Sequence, residues 1–430
     1  MNILTLHSFS QNLEKLCPNL RNKKFLLATS GGADSMVMAY LFLQANLNFE
    51  IAHVNYHLRG EASDLDQKIV EDFCQQNHLS FHLYDVSEKD SKPENSIELW
   101  ARELRYRFFE TIKVAQNLDF IATAHHLNDQ LETFIINLSK AAGITGLCGI
   151  PENENTIIRP LLHYTKQEIY RFAKQEGIAY REDHTNHENI YLRNRIRNLI
   201  IPSLERTNPH FWQNFDKSLN YLKQAEDFIQ IQVSEILAKI SISKDEEYWI
   251  INLKTLKAEN TFAQYEILKR LGFPSLEEQQ KILKAESGKI FKGENIFLII
   301  DREQGILCKK LPEEDFQEID LELGQALSSP YPVLLSESKN SGYSTCWEID
   351  SSKIKFPLKI RKPKKRDLFQ PKGMIGKKLI SKFFKDEKIS ILARQKVWLL
   401  VDSQGNILGI IGYRQDGRFL AKKEKIYFHF

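Results

Sequence analysis

The sequence predicts an α/β protein: a parallel sheet with helices on both faces, a linker helix, and two smaller α+β C-terminal domains. Three observations carry this expectation. Short apolar runs alternate with helix-length amphipathic stretches from Lys24 to Thr133, the pattern of a parallel sheet covered on both sides. A helical apolar stripe from Asp216 to Ile240 then interrupts that alternation,. At 430 residues the chain also exceeds what one ordinary core holds,.

In order, Lys24–Thr29 reads as a strand ending in Ser-Gly-Gly, and Ser35–Asn46 as the helix that follows it,. Phe49–Val54 is a second strand and Asp64–His78 a helix; Phe81–Val86 is a third strand and Ser96–Gln116 a helix; Phe120–Thr123 is a fourth strand. Ligands of such sheets sit at the carboxyl ends of the strands. The linker helix buries Leu219, Leu222, Phe228, Ile229, Val233 and Ile236 along one stripe,. Val397–Val401 and Ile407–Ile411 flank a turn-rich connection and predict a hairpin,. The domains expected are residues 1–215, 216–345 and 346–430, and the chemistry of 245–345 is not legible.

Hydrophobic residues make up 42% and charged residues 27%, as in globular proteins,. No uninterrupted apolar window approaches a membrane span, and Met1–Asn22 lacks the succession of a signal peptide,. A cytoplasmic protein with no membrane partner is therefore expected. Five scattered cysteines without CxxC spacing argue against a disulfide framework or structural zinc,. The net charge of +3 is uneven: Lys353–Lys388 holds fourteen Lys or Arg and three Asp or Glu, about +11,.

The sharpest motif is Ser30-Gly31-Gly32-Ala33-Asp34-Ser35, between the first strand and its helix. Glycines let the backbone approach a phosphate, the helix start offers N–H donors, the serines add hydroxyls, and Asp34 suits a magnesium ion. Alone, such a turn is more often a helix cap, but its place after a strand favours phosphate. It lacks the Gly-Lys-Ser/Thr ending of a Walker loop,. In Thr123–Thr133, Asp129 and Glu132 lie three apart on one helical face, two carboxylates suited to magnesium or an ammonium group,. Helix capping accounts for Asn128 and Asp129 but not for Glu132. No catalytic zinc spacing is present around His125 and His126. Arg102, Arg105 and Tyr106 share one side of a helix, where arginines face phosphate or form ordinary surface pairs,.

The glycine motif resembles the PP-loop of the N-type ATP pyrophosphatases, which adenylate a carbonyl oxygen. His53-Val54-Asn55-Tyr56-His57-Leu58-Arg59-Gly60 and the Asp129/Glu132 cluster narrow the resemblance to the lysidine synthases. Asn128 stands where those relatives usually have a second aspartate, and Ser139–Gly143 departs from their Arg-Gly. Arg159-Pro160-Leu161-Leu162, Asp183–Asn186 and Arg193–Arg197 continue it, and the tract from Ile360 to Leu379 resembles the C-terminal domain of the longer members. The resemblance covers roughly residues 20–200 and 355–420.

It implies a PP-loop, Rossmann-like domain that binds ATP through Ser30, Gly31, Gly32, Ala33, Asp34, Ser35, His53 and Arg59. Mg2+ would sit on Asp34 and Asp129. The implied partners are tRNA(Ile) with a CAU anticodon and L-lysine; a homodimer stays open. The catalytic set is Asp34, Arg102, Arg105, Asp129 and Glu132, with the last two orienting lysine or helping to deprotonate it. Arg159, Arg193, Arg195 and Arg197 would meet tRNA phosphates. So would Arg361, Lys362, Lys364, Lys377 and Lys378, with Phe369, Phe383 and Phe384 interleaved for RNA contact. The alternatives are a tRNA 2-thiolation enzyme of the same loop family and a non-catalytic RNA-binding protein.

Overall fold

The computed structural model describes residues 3–90, 93, 97–182, 192–311, 318–329, 331–421 and 424–430, the side chain of Glu98 excepted. The chain divides into two compact units, Met1–Ile231 and Gln232–Phe430.

The first unit opens with helix α1 (Leu6–Leu16), capped by Thr5. The predicted alternation follows: β1 (Lys24–Ala28), α2 (Ala33–Gln44), β2 (Asn48–Asn55), α3 (Glu61–Gln76), β3 (Phe81–Asp85), α4 (Ile97–Ala115), β4 (Phe120–Thr123) and α5 (Leu127–Ser139). After a short α6 (Ile144–Leu147) come β5 (Asn153–Glu154), β6 (Ile157–Ile158) and α7 (Lys166–Gln175). Then α8 (Leu192–Arg195) runs through a π-helical turn, Ile196–Ile200, into α9 (Ile201–Glu205) and the long α10 (Phe211–Ile240).

The sheet order is β3-β2-β1-β4-β6-β5. All pairs are parallel except β5 with β6. Strand periodicity sends alternate residues of β1 to opposite faces. Phe25 and Leu27 join a core with α1, α2, α3 and α7, whereas Leu26 packs with Phe109 and Leu118 at the end of α4 and beyond. Each such buried side chain contributes roughly 1.5–3 kcal/mol, so both helical layers are held by the same strands. A separate cluster joins Leu127 and Leu131 of α5 to Ile196, Ile201, Phe215 and Leu219. That cluster fixes the π-helical segment against the helix carrying Asp129.

The expected stripe of the linker helix holds for Leu219 and Val233, which are buried, but Phe228 is exposed. The buried line runs through Val233, Leu237 and Ile240, and Phe228 is one residue out of its 3.6-residue period.

The second unit is built from antiparallel sheets and short helices. One five-stranded sheet uses residues 241–244, 248–252, 290–292, 297–301 and 304–308, with helices over 253–258, 261–270 and 276–284. A second uses 318–321, 358–361, 399–401, 407–410 and 414–415, and it contains the predicted hairpin, with Leu399 opposite Ile410. A four-stranded sheet and the two-stranded hairpin of 368–369 with 378–379 complete the unit.

Candidate active site

The carboxyl ends of β1, β2 and β4 open onto a cleft of about 720 Å3, lined in part by Ser30, Asp34, His53, Arg105, Asp129 and Arg197. That is room for a nucleotide.

The loop after β1 is shaped by two constraints. Gly31 has φ +86°, and a Cβ there would meet the Asp66 carbonyl oxygen at 2.8 Å, so only glycine fits without displacing backbone,. Gly32 is the extended N-cap of α2. Ser35 Oγ accepts from the Ser30 N–H at 3.1 Å and donates to the Gly32 carbonyl at 3.0 Å. The turn is thus closed by its own serine, and the helix start behind it favours anions.

Asp34 projects from the first turn of α2. Its Oδ1 is buried and has no hydrogen-bond partner among the described residues. Burial pushes its carboxyl above the ordinary range; His126 pulls it down and Asp129 pushes it up again. His126 caps α5: its N–H donates to Asp129 Oδ2 at 3.0 Å, and its Nδ1 accepts the Asp129 N–H at 3.4 Å. Its Nε2 stands 3.7 Å from Asp34 Oδ2. Asp34, His126 and Asp129 therefore form a row across the junction of two helix N-termini. Burial raises the Asp129 carboxyl, but His126, His125, the His126 backbone N–H and Arg193 outweigh it and hold it below the ordinary range. His125 is driven down to about 4 by burial and is neutral at pH 7.

Glu132 differs from the expectation that it touches substrate. It is fully buried and accepts from Arg193 Nε at 2.7 Å, Arg197 Nε at 2.7 Å and Arg197 Nη2 at 3.2 Å. Both its oxygens are taken by the two arginines, which in turn lie 3.8 and 3.9 Å from Asp129. Arg193 and Arg197, expected on RNA phosphates, are instead braced against α5, and Arg197 lines the cleft. Arg195 is exposed. Arg159 is buried and donates to the Pro151 carbonyl and to Glu154, so it is not placed for RNA contact. Asn128 Oδ1 accepts the Lys166 N–H at 2.9 Å and ties α5 to α7. Residues 183–186 lie outside the described residues.

His53 is buried, with Nδ1 2.8 Å from the Thr29 carbonyl oxygen, and burial lowers its pKa. It supports the loop from beneath while still lining the cleft. Arg59 donates to Asp66 Oδ2 at 2.6 Å, and Arg181 to Asp66 Oδ1 at 3.0 Å. Asp66, under Gly31, was not legible in the sequence, because nothing distinguishes it from the other acids of α3. Arg105 lines the cleft, whereas Arg102 lies over the Tyr106 ring at 4.8 Å and is exposed. Arg105 is exposed too and lies 5.9 Å from the same ring, so what separates it from Arg102 is its place in the cleft lining.

In the basic tract, several expectations are corrected. Arg361 is buried and donates two bonds, of 2.7 and 2.9 Å, to Asp367. Phe369, Phe383 and Phe384 form the interior of a small core with Leu399 and Ile410, so no RNA reaches them. Lys362 lies 4.2 Å over the Trp398 ring, Lys364 pairs with Glu318 at 2.9 Å, and Lys378 with Asp386 at 2.5 Å. Lys377 is exposed.

Among the described residues no group of three or more His, Cys, Asp or Glu is arranged to hold a metal. Two carboxylates on either side of His126, both lining the cleft and one with an orphaned buried oxygen, still fit Mg2+, which takes one or two carboxylates and completes its shell with phosphate and water.

Residues 5–204 match the PP-loop domain family and residues 243–310 the TilS substrate binding domain. A tRNA(Ile)-lysidine synthase of Bacteroides thetaiotaomicron is 34% identical over 412 residues, covering 93% of each chain. One from Parabacteroides distasonis is 33% identical over 429 residues, covering 96% of each, and one from Bacillus subtilis is 27% identical, covering 95% of this chain and 94% of its own. With relatives above 30% identity over more than nine-tenths of both chains, and with both domain matches, the chain belongs to the tRNA(Ile)-lysidine synthase family.

Proposed function

We propose that the protein uses ATP to join L-lysine to C2 of the wobble cytidine in the CAU anticodon of tRNA(Ile). One observation carries this reading: the phosphate-type loop and the two carboxylates that flank His126, Asp34 and Asp129, line one cleft. In the first step the cytidine O2 attacks the α-phosphorus of ATP, the bond to the β-phosphate oxygen breaks, and pyrophosphate leaves. The Gly31–Gly32 turn and the α2 N-terminus hold the phosphates, and Arg105 and Arg197 meet the charge that develops there. Asp34 and Asp129 would hold Mg2+, which when bound draws charge off the phosphates. In the second step the lysine ε-amine, having lost a proton, attacks C2, and the C2–O bond breaks to release AMP.

Asp129 stays ionised, because its neighbours hold its pKa low. That suits it to attract the lysine ammonium rather than to take a proton from it. Glu132 is a positioning residue, acting through Arg193 and Arg197. The wobble base leaves the anticodon stack to enter the cleft, which favours an unpaired loop as target. We place the reaction in the cytoplasm, with residues 346–430 and the domain before them gripping tRNA.

The two-step order is checked by pyrophosphate release. It should require tRNA(Ile) and ATP but not lysine. Release without tRNA, or only with lysine, contradicts the adenylated-cytidine order.

A further inference from the structure

The basic tract loses its phenylalanines to the core, yet it keeps an apolar face elsewhere. The hairpin pairs Leu368 with Leu379 and Phe369 with Lys378. Strand alternation sends Phe369 inward, where it is fully buried, and leaves Leu368 and Leu379 as an exposed cross-strand pair,. Met374 and Ile375, in the connection, are exposed too, Ile375 completely.

This connection is held at its base. Gln370 N–H donates to Asp416 Oδ2 at 2.8 Å, Lys372 N–H to the Gln415 carbonyl at 3.0 Å, and Gly417 N–H to the Gln370 carbonyl at 2.7 Å. Asp416 itself is fully buried. Nearer the tip, Met374 N–H donates to the Pro371 carbonyl at 2.9 Å and Gln370 Nε2 to the Met374 carbonyl at 3.2 Å. The apolar tip is therefore presented by anchored backbone.

Next to it in sequence are Lys365, Arg366, Lys372 and Lys377, all exposed and, among the described residues, in no ion pair with a carboxylate. Asp367, the acid within this stretch, is occupied by Arg361. Scattered exposed apolar residues are ordinary. Four on one short hairpin, flanked in sequence by cations outside any ion pair among the described residues, call for a partner that is both anionic and flat-faced. Duplex RNA shows phosphates but hides its base faces, whereas unpaired RNA shows both.

We propose that residues 368–379 form a tRNA docking element, in which Met374 and Ile375 pack on the faces of unpaired bases while Lys365, Arg366, Lys372 and Lys377 hold the flanking phosphates. Leucine, isoleucine and methionine side chains serve as wedges at base steps in other nucleic-acid complexes. The proposal rests on the reading that tRNA is the substrate.

The test uses the full chain carrying Met374→Ser with Ile375→Ser, and separately Lys377→Ala. These side chains are exposed, and an unchanged thermal transition of each variant establishes its fold. The double variant should bind tRNA(Ile) about tenfold more weakly with its salt slope unchanged, because a stacking contact carries little charge. Lys377→Ala should lower the salt slope by about one. At saturating tRNA the double variant should keep the wild-type rate of lysidine formation, with only the KM for tRNA raised. Unchanged tRNA affinity in the double variant, while the wild type makes lysidine, overturns the hairpin assignment alone. Wild type that makes no lysidine overturns the functional reading instead. Binding of the wild type to anionic vesicles that the double substitution abolishes, with tRNA affinity intact, assigns the surface to a membrane and overturns the proposal.

Discussion

At the ends of β1 and β4, charged side chains converge on a cleft; along residues 353–388 they divide between a core and the solvent. In the first region the places of the Ser30–Ser35 turn, Asp34 and Asp129 are set by topology, since a strand ending in a helix N-terminus must place its turn at the sheet's carboxyl edge,. In the second, charge density says nothing about facing. Arg361 and Lys365 are close in sequence, yet one is sealed onto Asp367 and the other is exposed. A motif tied to a turn is a statement about geometry, whereas a tract of like charges is one about composition.

Predictions that sharpen this contrast begin with the cleft. Asp34→Asn should lower lysidine formation at least ~1,000-fold, about 4 kcal/mol of transition-state stabilisation, with little change in thermal stability. Asp129→Asn should act in the same direction, read by the same rate assay. An Asp34→Asn enzyme of near wild-type rate would remove the cleft from the chemistry.

Glu132→Gln should do the opposite. It leaves two arginines braced on a neutral group, and removing one partner of a buried ion pair costs about 3–5 kcal/mol. Denaturant unfolding should report a destabilised first unit, and activity should fall through misplacement of Arg197. Stability unchanged, with activity lost, would return Glu132 to the substrate.

Arg361→Ala strips the buried partner from a largely covered Asp367 and should destabilise the second unit by about 3 kcal/mol, visible as an earlier thermal transition. Lys365→Ala should leave that transition in place and weaken tRNA binding only a few-fold. Equal effects from the two would erase the distinction between core and solvent cations.

A smaller effect concerns pH. His163 is held between Asp216 at 2.8 Å and Glu152 at 3.3 Å, and hydrogen bonds to these two carboxylates raise it to about 9. Its folded pKa exceeds its unfolded value, so its stabilisation is complete below about 6.5 and is lost as pH rises through about 9,. Partial solvent exposure reduces the contribution to roughly 1–2 kcal/mol. Wild type should lose that much between pH 7 and 10, and His163→Gln should show no such loss. For Glu152 the same hydrogen bond to His163 lowers the carboxyl to about 2, so its share persists until strongly acid pH.

The smallest expected effect is none at all. Burial pushes the Cys17 thiol up to about 11 and Cys74 to about 12, and it also raises Cys148, Cys308 and Cys346. Thiol alkylation under native conditions should spare activity. Rapid inactivation would revive the sulfur-transfer alternative.

Much of the fold was legible because the first unit obeys local rules. Each strand from Lys24 to Thr123 is an apolar run stopped by a turn, and the helix after β4 starts at Leu127, one residue before the expected Asn128. The position of the Ser30–Ser35 turn after β1 and of Asp129 in the first turn of α5 was legible for the same reason. Glu132 was misplaced because its partners lie 61 and 65 residues away, beyond any local pattern. The Phe369, Phe383 and Phe384 set was misread because aromatic residues among lysines look alike whether they face a small core or an RNA. Residues 245–345 had no local motif, and only the part up to 310 is assigned, by the substrate-binding-domain match over residues 243–310.

The most direct test is to incubate the protein with ATP, isotope-labelled lysine and tRNA(Ile) bearing a CAU anticodon, and to weigh the digested nucleosides, alongside Asp34→Ala. The account predicts a labelled lysine adduct at the wobble cytidine with wild type and none with Asp34→Ala. A cytidine of unaltered mass, a sulfur-containing product, or equal labelling by the variant would contradict it.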